Sequence, residues 1–267
     1  MAKEFENKKS FIKAFNESFE ELAQYNGSEE NLRNCEPFEQ LNQKYISLIK
    51  QYSNSFHELS NDTGSRVSRR EYSNGGEVMH RGFYSPSMLD LVVGGMNRGR
   101  LLKRPRKGKI NDYEYLFDAH DNLICVYASD EFKLTNTEFF VHSENKVLSF
   151  VFNTNEWGNT LSLISECHCE NGRLIRYEVA DVMSIFDEES CNTINVEISE
   201  YAGGLLQSFL WYRYIPDFRS LEQQKFVFSR DEEGYLSTYT VKNLSGFKAK
   251  SGSDLEKMTY EVRVKRK

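Results

Sequence analysis

Three consecutive residues, Cys167, His168 and Cys169, are the first place to look for chemistry, because thiolate and imidazole are ligands that zinc prefers. In a β-strand successive side chains alternate, so Cys167 and Cys169 face one side and His168 the other. No second Cys-x-x-Cys or His pair stands nearby. The expectation is buried thiols beside a surface imidazole, with no metal and no cofactor. His142 and His168 each precede a turn asparagine by three residues, at Asn145 and Asn171, and Asp118 and His120 flank the turn before them. Adjacent hairpins could bring these groups to one sheet edge as an acid–base cluster. His and Asp are also ordinary turn-flanking residues. The chain contains no phosphate-binding Gly-rich loop, nucleophile elbow, zincin helix or Rossmann fingerprint. No catalytic residue is assigned, and a non-enzymatic role is expected.

Charge is the second kind of chemistry available. Arg98, Arg100, Lys103, Arg104, Arg106, Lys107 and Lys109 follow one another with no acidic residue between them. Such a block could grip phosphates by counterion release, and Arg forks suit phosphate oxygens. It lacks the aromatic stacking platform or recognisable helix that nucleic-acid binders add. Pairing with acidic groups of the sheet is the preferred reading, with Leu101 and Leu102 anchoring the block by burial. Two acidic runs, Asp187-Glu188-Glu189 and Asp231-Glu232-Glu233, flank expected sheet turns and could steer a basic partner.

The net charge of −6 conceals a segregation: −4 over residues 1–63, +7 over 64–112 and −9 over 113–267. A pattern of this kind speaks to partners and association rates rather than to fold. The chain has 267 residues, enough to bury a sizeable core, and its 19 Phe and 15 Tyr against 4 Pro favour sheets. Five scattered cysteines suit reduced thiols better than a disulfide framework. No apolar stretch approaches the roughly 18 residues a membrane helix needs, and MAKEFENKKSFIK does not read as a signal peptide. A cytoplasmic protein without a membrane partner is expected.

The elements that must position these groups change character along the chain. Phe5, Ile12, Phe15, Phe19 and Leu22 share one face of a helix that should stop near Asn26-Gly27. Pro37 can open a second helix, in which Phe38, Leu41, Tyr45, Leu48, Tyr52, Phe56 and Leu59 keep the three-and-four spacing. Residues 60–82 read as a loop or irregular hairpin. Ser85-Pro86 then offers an N-cap and first helical position for a short helix from Met88 to Val93, broken at Gly94-Gly95. From Tyr113 the hydrophobic period is two. Five hairpins are expected, pairing 113–117 with 123–127, 137–142 with 147–152, 163–169 with 173–179, 194–198 with 206–212 and 225–228 with 235–241, and a last strand at 259–264.

The turn sequence FDAHDNLI at 117–124 resembles the tyrosine-aspartate repeat of the Rhs and teneurin shell proteins, in which an aromatic residue and Asp precede two variable residues, Gly, a polar residue and Leu. FSRDEEGYL at 228–236 and ENGRLI at 170–175 are looser versions. The resemblance implies hairpins. Asp121 replaces the usual Gly, the copies vary in length, and the chain is too short to build a cargo-enclosing shell. In size, charge and texture the chain is also similar to the immunity proteins of bacterial polymorphic toxin systems.

These readings combine into an α+β chain: an N-terminal helical hairpin (1–63), a basic connector with a short helix (64–112), and a large, curved antiparallel meander of about ten strands (113–267), in one cooperative unit. The expected function is non-catalytic protein binding, as an immunity protein neutralising a toxin domain through the two acidic runs. The alternative is a nucleic-acid-associated protein using residues 98–109.

Overall fold

The structure, a computed structural model, describes residues 24–76, 81–106, 111–129, 133–156, 158–185, 188–244 and 258–261. The expected first helix, with Phe5 to Leu22, lies outside them. Helix α1 spans Glu29–Tyr52 and starts where Ser28 accepts a hydrogen bond from the Asn31 amide at 3.2 Å, with Glu29 and Glu30 in the first turn, where the helix dipole favours anions. Pro37 therefore lies inside α1 and does not open it. A proline there removes one helix bond. The turn before it is held from outside, by Asn31 Nδ2 and Cys35 Sγ, which reach the Arg219 carbonyl at 2.9 and 3.3 Å. The helix then breaks after Tyr52, and α2 runs Phe56–Arg66. That break lets Tyr52 stack on Phe150 while Phe56 meets Phe139 and Phe152 edge-on.

The fold is α+β, and the described strands form one 13-stranded antiparallel sheet. The expected hairpins are all present: β3 (Tyr113–Phe117) with β4 (Leu123–Ser129), β5 (Leu134–His142) with β6 (Lys146–Asn155), β7 (Gly158–Glu170) with β8 (Arg173–Ile185), β9 (Glu188–Ala202) with β10 (Leu205–Ile215), and β11 (Ser220–Arg230) with β12 (Leu236–Asn243). Strand β13, Met258–Glu261, closes one edge. Asn171-Gly172 and Gly203-Gly204 take positive φ at both positions, the geometry that a two-residue hairpin turn demands. Asp121, where the resembling repeat has Gly, adopts φ 65°.

Two strands come from the stretch read as loop and basic block. Strand β1, Arg69–Asn74, inserts between β2, Arg100–Leu102, and β3. Its sequence RREYSN lacks apolar alternation because its side chains make polar contacts: Arg70 pairs with Glu114, Arg69 with Asp121, Ser73 meets the Tyr115 hydroxyl at 3.0 Å, and the Arg69 guanidinium lies 3.8 Å from the Phe117 ring centre. The basic block thus contributes an edge strand, a place where Lys and Arg discourage pairing with other chains.

Both faces of the sheet are covered. Helix α1 buries Cys35, Tyr45 and Ile49, and α2 packs Phe56 and Leu59, against a cluster with Phe139, Phe150, Phe152, Ile164, Ala180, Ile194 and Tyr214. On the opposite face, residues 81–96 supply Phe83 and Tyr84 against Tyr113, Tyr115 and Phe140, and Leu91 and Val92 against Phe209, Phe226 and Phe228. The short helix is there as expected, as a single wide turn over Leu89–Val93. Met88, not Ser85, is its N-cap residue, and just before it Ser87 accepts from the Asp90 amide at 3.1 Å.

Candidate functional site

The acid–base cluster suggested by spacing does not assemble. His142 lies on the face of Phe140, with Nε2 2.7 Å from the Leu123 carbonyl, whereas His168 lies on the helix face beside Glu166. Asp118 folds its own turn by accepting from the amides of His120 and Asn122. Against a rise from burial, these bonds and the Asn122 side chain bring its carboxyl down to about 2. It works as a turn residue, not as an acid. Cys167 is buried on the face opposite His168, with Sγ 3.4 Å from an Arg81 nitrogen. A guanidinium at that distance opposes a cation on the thiol.

What the fold does assemble is a buried polar centre on each face. On the helix face Glu166 and Glu178 are cross-strand partners in β7 and β8, and one cation serves both. Lys44 Nζ stands 2.9 Å from Glu166 and 3.0 Å from Glu178, and Tyr45 donates to Glu178 at 2.9 Å. Arg176 donates through Nε to the other Glu178 oxygen. Burial raises both carboxyls, but Lys44, with His168 at Glu166 and Arg176 at Glu178, more than offsets it, so both sit below the usual carboxylate range. Burial lowers His168, which favours neutral imidazole. Glu166, His168 and Glu178 have the composition and closeness of a metal-ligand set. The Lys44 ammonium already occupies the position between the carboxylates, with Arg176 and Lys146 beside it, so a divalent ion would meet repulsion rather than a vacant anionic site.

On the other face Arg81, at φ 58°, enters the sheet centre. Its Nε donates to Glu138 at 2.7 Å, Nη2 to Ser149 and Ser165 at 3.0 and 2.7 Å, and its guanidinium lies 4.8 Å from the Phe140 ring centre. Gly82 must follow, because a Cβ there would come within 2.7 Å of Tyr113 and Tyr115. One row further along, Glu197 accepts from the Ser87 hydroxyl and the Met88 amide at 2.6 Å each and from the Leu89 amide at 3.2 Å. Burial raises its carboxyl to about 7 despite these bonds. Both groups fasten residues 81–96 to the sheet, and neither faces an open cleft with a nucleophile.

The charged candidates divide. Lys107, Lys109 and Asp187 lie outside the described residues. Glu188 and Glu189 begin β9, in register with Ile185 and Ser184. This described start of β9 is at the opposite end of the sheet from the β11–β12 turn that carries Asp231-Glu232-Glu233. Arg98 is exposed and donates to the Ser85 carbonyl, and Arg106 pairs with Asp112 at 2.6 Å. Arg100, Lys103 and Arg104 are exposed.

The second acidic run belongs to a composite tip that the sequence reading did not find. Arg230 donates to the Gly234 carbonyl at 2.8 Å and to the Leu206 carbonyl at 3.1 Å, tying the β11–β12 turn to the β9–β10 turn. Asp231 accepts from the Glu233 and Tyr235 amides and shapes the turn. Tyr235 and Leu205 are then 58% and 48% exposed beside exposed Glu232 and Glu233. An aromatic after an Asp-x-x-Gly turn was the signal available.

No described helix is long and apolar enough to cross a membrane. Neither protein-family models nor curated proteins yield a match to this chain. Among solved structures, a protein of unknown function from Bacteroides fragilis is similar over 43% of this chain and 89% of its own, at 9% identity and a TM-score of 0.33, a likeness too slight to carry a functional argument.

Proposed function

We propose that the chain is a non-catalytic protein-binding protein, an immunity protein that neutralises a cognate toxin domain by holding a basic surface of it against the tip of β9–β12. The observation that carries this reading is the exposure of Tyr235 and Leu205 beside Glu232 and Glu233 on two turns clamped by Arg230. Aromatic anchors dominate the energy of protein interfaces, and flanking charge raises the association rate. Continuous pairing of β9 through β12 behind the tip supports the reading, and the two polar centres of the sheet are engaged within the fold. The test is rescue. Co-expression with a toxin encoded beside this gene should be tolerated with the wild-type chain, and Tyr235→Ser with Glu232→Lys and Glu233→Lys should restore toxicity. Full protection by that triple variant would remove the tip from the account.

A second reading, nucleic-acid association, rests on Arg100, Lys103 and Arg104, exposed along and beside edge strand β2. It requires retention on RNA that weakens steeply with salt and is lost when all three become Gln.

A further inference from the structure

A cleft of about 380 Å³ separates α1 from strands β8 to β11. Its outer wall is Arg33, Asn34, Pro37, Phe38 and Leu41 of α1, and its floor includes Val196, Ile198 and Leu221. Val196 and Leu221 are buried and Arg33 and Asn34 are exposed, so the interior is apolar and the mouth polar. Phe38 and Tyr212 meet across it with ring centres 5.3 Å apart. The volume falls at the low end of small-ligand sites, roughly 300–1,000 Å³, and suits about one ring or a short chain.

The polar groups at this cleft are mostly donors. Arg176 uses Nε on Glu178, which is fixed in turn by Tyr45 and Lys44. The guanidinium is thereby held in place, and among the described residues its two terminal nitrogens have no hydrogen-bond partner. Tyr212 accepts from Gln223 Nε2 at 3.2 Å, which leaves the phenol proton to donate elsewhere. Burial raises the Tyr212 phenol, so that proton is retained at neutral pH. Arg33 donates Nε to the Glu29 carbonyl and is an exposed residue of the cleft lining. A planar fork, a hydroxyl donor and a second guanidinium around an apolar slot match an anionic head on an apolar body.

We infer that this cleft is a binding site for a small amphipathic anion, a carboxylate or phosphate monoester carrying an alkyl chain or ring, with Arg176 and Tyr212 on the head and Phe38, Leu41 and Val196 around the body. The site is independent of the partner surface at the β9–β12 tip and stands or falls without it.

Calorimetric titration of the full chain with octanoate, octyl phosphate and octyltrimethylammonium tests the inference. Saturable one-to-one binding of at least one anion, and none of the cation, is expected; which anion binds identifies the head group. Arg176→Gln should weaken that binding by about tenfold or more, because a charge-assisted pair is lost. Tyr212→Phe should weaken it several-fold, and Leu41→Trp should abolish it by filling the cleft. Should Arg176→Gln fail to fold, Tyr212→Phe and Leu41→Trp decide alone. No saturable binding of either anion, equal binding of the cation, or affinity unchanged by Leu41→Trp would overturn the assignment.

Discussion

The guanidinium of Arg81 lies 2.7 Å from the carboxylate of Glu138, with both side chains buried, and this pair joins the segment that covers one face of the sheet to strand β5. Burial alone would lower Arg81, but Glu138, Cys167 and Tyr177 together raise it. The charge is therefore kept and must be matched. Glu138→Gln leaves an uncompensated buried cation and should cost about 3–5 kcal/mol in urea unfolding, whereas Arg81→Met with Glu138→Leu should cost less than the single change. A loss below about 1 kcal/mol for Glu138→Gln would mean that residues 81–96 are not fastened through this pair.

Glu197 gives the stability a pH dependence of unusual sign. Its folded carboxyl, raised by burial to about 7 from an ordinary 4.5, binds its proton more tightly than the unfolded chain does. Stability from this group is present below pH 4.5 and declines as pH rises to 7, by up to about 1.4 kcal/mol per unit. Glu197→Gln should flatten that part of the profile. Parallel wild-type and variant profiles between pH 4.5 and 7 would contradict the assignment.

Lys44 is the cation that keeps Glu166 and Glu178 ionised, and both have lowered folded values. In the wild-type chain their contribution is present above the ordinary carboxylate pKa and is lost as pH falls through the folded values. Lys44→Met sets two carboxylates side by side, so its cost should be larger at pH 7 than at pH 4. About 1–2 kcal/mol is expected at pH 7, discounted because Lys44 is partly exposed. Equal losses at both pH values would assign Lys44 a packing role only.

The basic edge should be held by its leucines more than by its charges. Leu101 and Leu102 are half-buried, and Leu101 packs against the Tyr113 and Tyr115 cluster. Leu101→Ser with Leu102→Ser should lower stability by about 1–3 kcal/mol at any salt concentration. Arg100→Gln should change it by less than about 1 kcal/mol, and high salt should mask that change. Thermal melts at two ionic strengths separate the effects, and wild-type melting of the double variant would make this edge a free strand.

The hairpins were legible because Asn171-Gly172 and Gly203-Gly204 mark turns between runs of period two, a signal carried entirely by local backbone preference. Strand β1 was not, because Arg69 to Asn74 exchanges apolar alternation for polar contacts, Arg70 with Glu114 and Ser73 with Tyr115 of β3 and Arg69 with Asp121 of the next turn. Pro37 misled for a related reason: the contacts that hold the first turns of α1 come from Arg219, far along the chain. The polar centres were invisible because no local feature distinguishes a buried strand Glu from a surface one; Glu178 meets Lys44 across 134 positions. Of the tip, the acidic residues could be read from the sequence. The exposure of Leu205 and Tyr235 depends on the register that Arg230 fixes.

Hydrogen exchange of the chain, alone and bound to the toxin domain encoded beside its gene, tests the central claim most directly. Amides at 203–206 and 230–236 should become protected on binding, with 100–104 unchanged. Protection confined to 100–104, or no change at the β9–β12 tip, would contradict the account.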